Sequence, residues 1–186
     1  MDERRDPEAP SDEALLENGS PKAFELLTRR HYARVVRFCT RSTGNRALAE
    51  DLAQETFIRL WNARRRYEPK AGFPVFLYTI ARNLCRGTHR DEGRRALRSV
   101  SLEPEALAHV ADETPLASTQ VELRQDSQGL QRALDRLPEA QRDALVLRMV
   151  EGLDYAEISL VLGRNESTLR SQVFYGLKNL KELLPQ

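Results

Sequence analysis

The stretch Asp154-Tyr-Ala-Glu157-Ile-Ser-Leu-Val-Leu-Gly163-Arg-Asn165-Glu-Ser-Thr-Leu-Arg170-Ser-Gln-Val173-Phe-Tyr-Gly-Leu-Lys178 reads as helix, tight turn, helix. Asp154 and Glu157 have capping-box spacing, with Asp in place of Ser or Thr: the Asp carboxylate accepts from orphan backbone N–H groups of the first turn. A short helix then covers residues 155–162, with Ala156, Ile158 and Val161 facing inward. Gly163 supplies the positive φ of a tight turn, and Asn165 is placed to cap a second helix over about residues 166–184. Leu169, Val173, Leu177 and Leu180 are the expected buried stripe of that helix.

In a helix-turn-helix the second helix enters the DNA major groove with its N-terminal residues leading. Here those residues include Ser167, Thr168, Arg170, Ser171, Gln172 and Phe174. Arginine grips guanine bidentately or holds a phosphate, serine and threonine are small donors, and glutamine pairs with adenine. Lys178 and Lys181 lie further along and suit phosphates better than bases. The competing reading is a helical hairpin that binds no DNA; cap, glycine and basic face together favour DNA.

Upstream, Leu130, Leu134 and Leu137 form an apolar stripe, Pro138 stands where a new helix can start, and Ala144, Leu145, Leu147 and Val150 continue the core. Before them the character changes. Residues 93–120 hold Pro104 and Pro115, small and acidic residues and weak periodicity, the marks of a flexible linker. The net charge of +1 conceals a basic block beside an acidic one. Arg82, Arg86, Arg90, Arg94, Arg95 and Arg98 precede a run, 99–122, with Glu103, Glu105, Asp112, Glu113 and Glu122 but no Lys or Arg. The basic block either faces phosphates or is a solvated helix end.

The N-terminal half is also helical in pattern. Residues 12–18 form a first short helix, broken at Gly19-Ser20-Pro21. Pro21 opens a second helix to about residue 40, with Phe24, Leu27, Val35, Phe38 and Cys39 apolar. After the Gly44-Asn45 turn a third helix spans about 46–65, residues 67–74 form a loop, and a fourth helix covers about 75–90. In the third, Leu48, Leu52, Ala53, Thr56, Phe57 and Leu60 point inward, leaving Asp51, Gln54, Glu55 and Arg59 on the other face: a solvated surface or a partner surface. Tyr67, Lys70, Phe73, Phe76, Tyr78, Arg82 and Asn83 then gather aromatics beside basic and amide groups. Unpaired bases stack on aromatic faces while Lys and Arg follow the backbone, and an amide reads a base edge. For any single aromatic here, burial in the core is the competing fate.

The 186 residues, 40% hydrophobic and 31% charged, suit one or two small soluble domains. No apolar run approaches the roughly 20 residues of a membrane-spanning helix, and the acidic N-terminus lacks a signal-peptide core, so no membrane insertion and a cytoplasmic location are expected. Cys39 and Cys85 have no CxxC partner and are expected to be buried free thiols. No Walker, GxSxG or HExxH pattern occurs. Catalytic residues, metal ligands and cofactors are expected to be absent, and the chain is not expected to be an enzyme.

Three separated motifs resemble one family. Asp51-Leu-Ala-Gln-Glu-Thr-Phe-Ile-Arg-Leu-Trp61, Phe76-Leu-Tyr-Thr-Ile-Ala-Arg-Asn83, and Leu137-Pro-Glu-Ala-Gln-Arg142 with Tyr155-Ala-Glu-Ile-Ser-Leu-Val-Leu-Gly163 are similar, in this order, to motifs of extracytoplasmic-function sigma factors. The resemblance implies an all-α fold of two small domains. These are a region 2-like bundle (12–95) and a region 4-like helix-turn-helix domain (123–186), joined by an acidic linker (96–122) behind a disordered tail (1–11). It implies binding to core RNA polymerase through Asp51, Gln54, Glu55 and Arg59. It implies opening and capture of the single-stranded −10 element by Tyr67, Lys70, Phe73, Phe76, Arg82, Asn83 and Arg86. It implies recognition of duplex −35 DNA by Ser167, Thr168, Arg170, Ser171, Phe174 and Lys178, and control by an anti-sigma protein. The family commonly has Trp at the place of Phe76 and Asp near Gly87, and opens its recognition helix Gly-Thr-Val where Ser167-Thr168-Leu169 stands here. The alternative is a helix-turn-helix regulator that acts without polymerase.

Overall fold

The computed structural model describes residues 10–67, 71–98 and 128–184, with the backbone alone at Arg66 and over 89–98. Eight α-helices lie in the described residues. They are α1 (Asp12–Asn18), α2 (Pro21–Thr43), α3 (Arg46–Ala63), α4 (Phe73–Arg98), α5 (128–135), α6 (Glu139–Met149), α7 (Tyr155–Leu162) and α8 (Glu166–Leu183), with a 3₁₀ turn at Arg64–Arg66. No strand occurs among the described residues. The Lys70 position and most of the tail and linker fall outside them.

Caps set most of the boundaries. Ser11 and Ser20 accept from Ala14 N and Ala23 N at the starts of α1 and α2 (3.2 Å each), and Pro21 occupies the first turn of α2 as its missing N–H allows. Gly44 closes α2 at φ 71°, three residues beyond the expected end, and Asn45 accepts from Leu48 N at 3.1 Å to start α3. The N-terminus of α4 draws its cap from another element: Phe73 N donates to Glu13 Oε1 of α1 at 3.2 Å. This helix differs from expectation at both ends. It begins at Phe73 and runs through Gly87 and Gly93 to Arg98, because the Arg-Arg-Ala-Leu-Arg run is rich in strong helix formers that outweigh two glycines.

Helices α1–α4 form the N-terminal bundle, and α6, α7 and α8 pack together in the C-terminal one, with α5 leading into them. Leu27, Val35, Phe38, Ala53, Leu60 and Leu77 are fully buried in the first; Ala144, Leu147, Ile158 and Leu169 in the second. Each such Val, Leu, Ile or Phe side chain contributes roughly 1.5–3 kcal/mol by leaving water. Cys39 and Cys85 are free and buried where α2 meets α4, and their mutual hydrogen bond, then burial, push the Cys39 thiol far above its usual range. Asp12 ties α1 to α2 through His31 Nε2 (2.8 Å) and Arg30 (3.1 Å).

The bundles touch. α7 lies on α4, and α6 lies on α2. The seam is polar at several points. Tyr78 Oη donates to Glu151 Oε2, Arg34 Nη2 donates to the Glu151 carbonyl at 3.0 Å, and Gln131 Nε2 donates to the Thr40 carbonyl at 3.2 Å. His31, Arg34, Pro74, Tyr78, Glu151 and Leu153 line a cavity of about 190 Å³ along this seam.

Candidate nucleic-acid interface

The helix-turn-helix forms as its residues dictate. Asp154 Oδ1 accepts from Glu157 N, and Glu157 Oε2 accepts from Asp154 N, both at 2.8 Å. Gly163 stands at φ 63°, a left-handed conformation that a Cβ would strain, and its N–H closes on the Ser159 carbonyl. Asn165 Oδ1 accepts from Thr168 N at 2.9 Å and starts α8. On α8, Leu169 and Val173 are buried and Leu180 half-buried, but Leu177 is 42% exposed. Gly176 takes the expected inward place of Leu177. The helical repeat runs 169, 173, 176, 180, and at 176 a Cβ would stand 3.4 Å from the Gln141 carbonyl oxygen, so glycine admits the backbone of α6.

All six residues assigned to duplex recognition (Ser167, Thr168, Arg170, Ser171, Phe174 and Lys178) are exposed on α8. Arg170 does not dangle. Its Nη2 meets Glu166 Oε2 at 2.8 Å, and its Cζ lies 4.4 Å from the ring centroid of Tyr155, a cation–π distance. Arg148 sits 5.2 Å from the same ring. Tyr155 was read in the sequence only as part of a motif; no spacing rule joins residues 155 and 170 across a turn, so its place beneath Arg170 emerges only from the fold. Phe174 and Tyr175 pack edge to face at 5.4 Å, both more than half exposed.

On α3, Asp51, Gln54 and Arg59 are exposed and Glu55 is partly so, with Arg59 Nε on Glu55 Oε1 at 2.6 Å. Ile58, 55% exposed beside them, adds an apolar element that the reading of charges passed over. These side chains form one outward strip opposite buried Leu52, Ala53, Thr56, Phe57 and Leu60.

The face around the start of α4 departs further from expectation. Tyr67 and Phe76 are half-buried and tilt against each other at 5.3 Å, and Asn83 and Arg86 are exposed. Burial, then Glu13 and Glu17, push the Tyr67 hydroxyl above its usual range. Phe73 lies inside the fold. It is wholly enclosed, 5.0 Å from the His31 ring, so in this arrangement it is core rather than a stacking platform. Its neighbours explain why: Glu13 caps its N–H and so draws the loop end onto α1. Arg82 is likewise enclosed: it is 7% exposed and faces Asp143 of α6 rather than solvent.

Among the described residues the fold is two helical modules, one carrying a helix-turn-helix of the DNA-binding kind and the other an exposed acidic and amide strip on α3. Comparison with known proteins places it more closely. Family models for sigma-70 region 2 and sigma-70 region 4 match residues 27–95 and 127–180. The sigma factor CarQ of Myxococcus xanthus is 37% identical over 170 residues, covering 90% of this chain and 92% of CarQ. The ECF sigma factor SigE of Mycolicibacterium smegmatis is 36% identical over 176 residues, 92% of this chain; the chain spans 65% of SigE's length. Among solved structures, the sigma factor RpoE of Bartonella quintana, in complex with the anti-sigma factor NepR, is 26% identical, with a TM-score of 0.71 over 87% of this chain and 96% of that one. The chain belongs to the extracytoplasmic-function sigma factor family.

Proposed function

We propose that the chain binds core RNA polymerase and directs promoter-specific transcription initiation, with one task for each module. The α3 strip (Asp51, Gln54, Glu55, Arg59, with Ile58) docks on polymerase. Arg170, Ser171 and Phe174, with Ser167 and Thr168, read the edges of the −35 duplex while Lys178 meets a phosphate. Tyr67, Phe76, Asn83 and Arg86 hold the unpaired −10 strand by stacking, amide pairing and charge, joined by Arg82 once it is freed and by Lys70. Phe73 supports this face from beneath. Phe76 keeps an apolar wedge where the family carries Trp but lacks the indole N–H. Binding energy here stabilises melted DNA, which requires no catalytic group on this chain. The work lies in the cytoplasm, with polymerase. An anti-sigma protein is a further partner, as the neighbouring structure holds one.

One observation carries the reading. The six recognition residues are all exposed on a helix whose start is fixed by Asn165 and Gly163, in a chain that also matches sigma-70 region 2. The test is reconstitution. Purified protein added to core polymerase gives a specific transcript from a cognate promoter, and Arg170→Ala abolishes the choice of promoter. Polymerase binding with no specific transcript overturns the reading.

A further inference from the structure

Arg170 of the reading helix rests on a residue of another helix. Its Cζ stands 4.4 Å above the ring of Tyr155, the first residue of α7, while its Nη2 meets Glu166 Oε2 at 2.8 Å. Tyr155 is partly buried and packs against the core, so its ring is a fixed platform rather than a loose surface group. Arg148 reaches the same ring at 5.2 Å, but its Nη1 is tied to the Leu153 carbonyl at 2.9 Å, which keeps it with the loop before α7. Packing alone does not call for an aromatic at this place, since a leucine would rest on the same core. A guanidinium that needs a flat face beneath it does.

The two partners of Arg170 act differently. Stacking uses the face of a guanidinium, whereas its five N–H donors all lie in the edge. Glu166 therefore occupies an edge donor that a guanine or a phosphate also needs. That pair is about half-exposed on both sides (59% and 46%), where an ion pair within one helix is weak. Tyr155 leaves the edge free and keeps its hold when DNA arrives. A loose arginine gives up much rotamer freedom on reaching a base, and holding the side chain beforehand removes that loss.

We propose that Tyr155 is the positioning residue of Arg170: stacked under the guanidinium, it aims the fork at one base pair and so sets the sharpness of duplex reading there. This rests on the −35 reading proposed for Arg170 and adds to it a residue outside α8. The effect is local. Base pairs met by Ser171 or Phe174 are read without help from the ring.

The test uses the full chain and a duplex that the unaltered chain enriches from a randomised pool. Arg170→Ala first identifies the base pair whose preference depends on Arg170. Loss of preference at no base pair refutes the reading role of Arg170 itself, and the proposal falls with it. Tyr155→Leu is expected to lower the preference at that base pair about three- to tenfold, with preference elsewhere unchanged. In an Arg170→Ala background the same change is expected to have no further effect. Tyr155→Phe keeps the ring face and is expected to read as the unaltered chain does. Phenylalanine carrying three or five ring fluorines at position 155 nearly keeps the size of the ring and removes its negative face. It reports the stack even where leucine disturbs the fold, and the preference is expected to fall as fluorines are added. A flat fluorine series, equal loss in Tyr155→Phe, the same loss with and without Arg170, or loss spread evenly over all base pairs overturns the proposal.

Discussion

The two DNA faces of this molecule are made in opposite ways. The α8 face is assembled within about thirty residues by a capping box, one left-handed glycine and an asparagine cap, and it stands open to solvent. The α4 face is assembled from distant parts: Glu13 caps its helix, Tyr67 leans on Phe76, and Asp143 of the other module buries Arg82. A reading surface that must find duplex DNA is preformed and exposed. The surface proposed for melted strand is mixed, with Asn83 and Arg86 exposed and Arg82 buried against Asp143.

The contrast is broken most severely by hollowing out the local unit. Ile158 is fully buried under the turn, and Ile158→Ala is expected to cost about 2–5 kcal/mol, melting the C-terminal module in thermal unfolding while the N-terminal bundle retains helical signal. Next comes Arg170→Ala, expected to weaken −35 duplex binding by about 1–3 kcal/mol in anisotropy titrations while single-strand binding is unaffected. Loss of both would show that the faces are not independent. Asp154→Ala should remove about 1 kcal/mol of stability through the lost cap, read as a lower melting temperature with the same bound geometry. Asn83→Ala sharpens the other side: permanganate footprinting should show impaired opening at −10 with −35 occupancy intact.

The smallest effect concerns pH. Burial raises the Asp12 carboxyl, but His31 and Arg30 outweigh it and hold it below the usual range. A depressed carboxylate gives stability that is present above its ordinary value and is lost as pH falls through the lowered one. Anchorage of α1, and with it the Glu13 cap on α4, should therefore weaken only in acid. Asp12→Asn should be less stable at neutral pH and lose that acid dependence; an unchanged profile in melts between neutral and acid pH refutes this role.

How far the sequence could be read follows from the same contrast. The helix-turn-helix was legible because its signals are local: Asp154 with Glu157, Gly163, and Asn165 all act within four residues. Even so, Leu177 was placed inward, since a stripe of leucines hides the possibility that Gly176 is where helices approach. The α3 strip was legible from its 3.6-residue period. The state of Phe73 and Arg82 was not, because it depends on Glu13, sixty residues away, and on Asp143, in the other module. Nor could composition reveal Glu151, whose side chain takes the Tyr78 hydroxyl across the seam. The end of α4 at Arg98 was missed because the stretch from Gly93 onward read as linker, whereas its first residues are helix formers that carry the helix on.

Gly176 has a mechanical meaning. Without a side chain there, α8 rests directly on the main chain of α6, and Asn179 fastens to Gln141 at 2.9 Å. The same short rod thus carries the promoter-reading helix on one flank and the grip on Arg82 on another. With so little slack between them, α6 and α8 move as one piece.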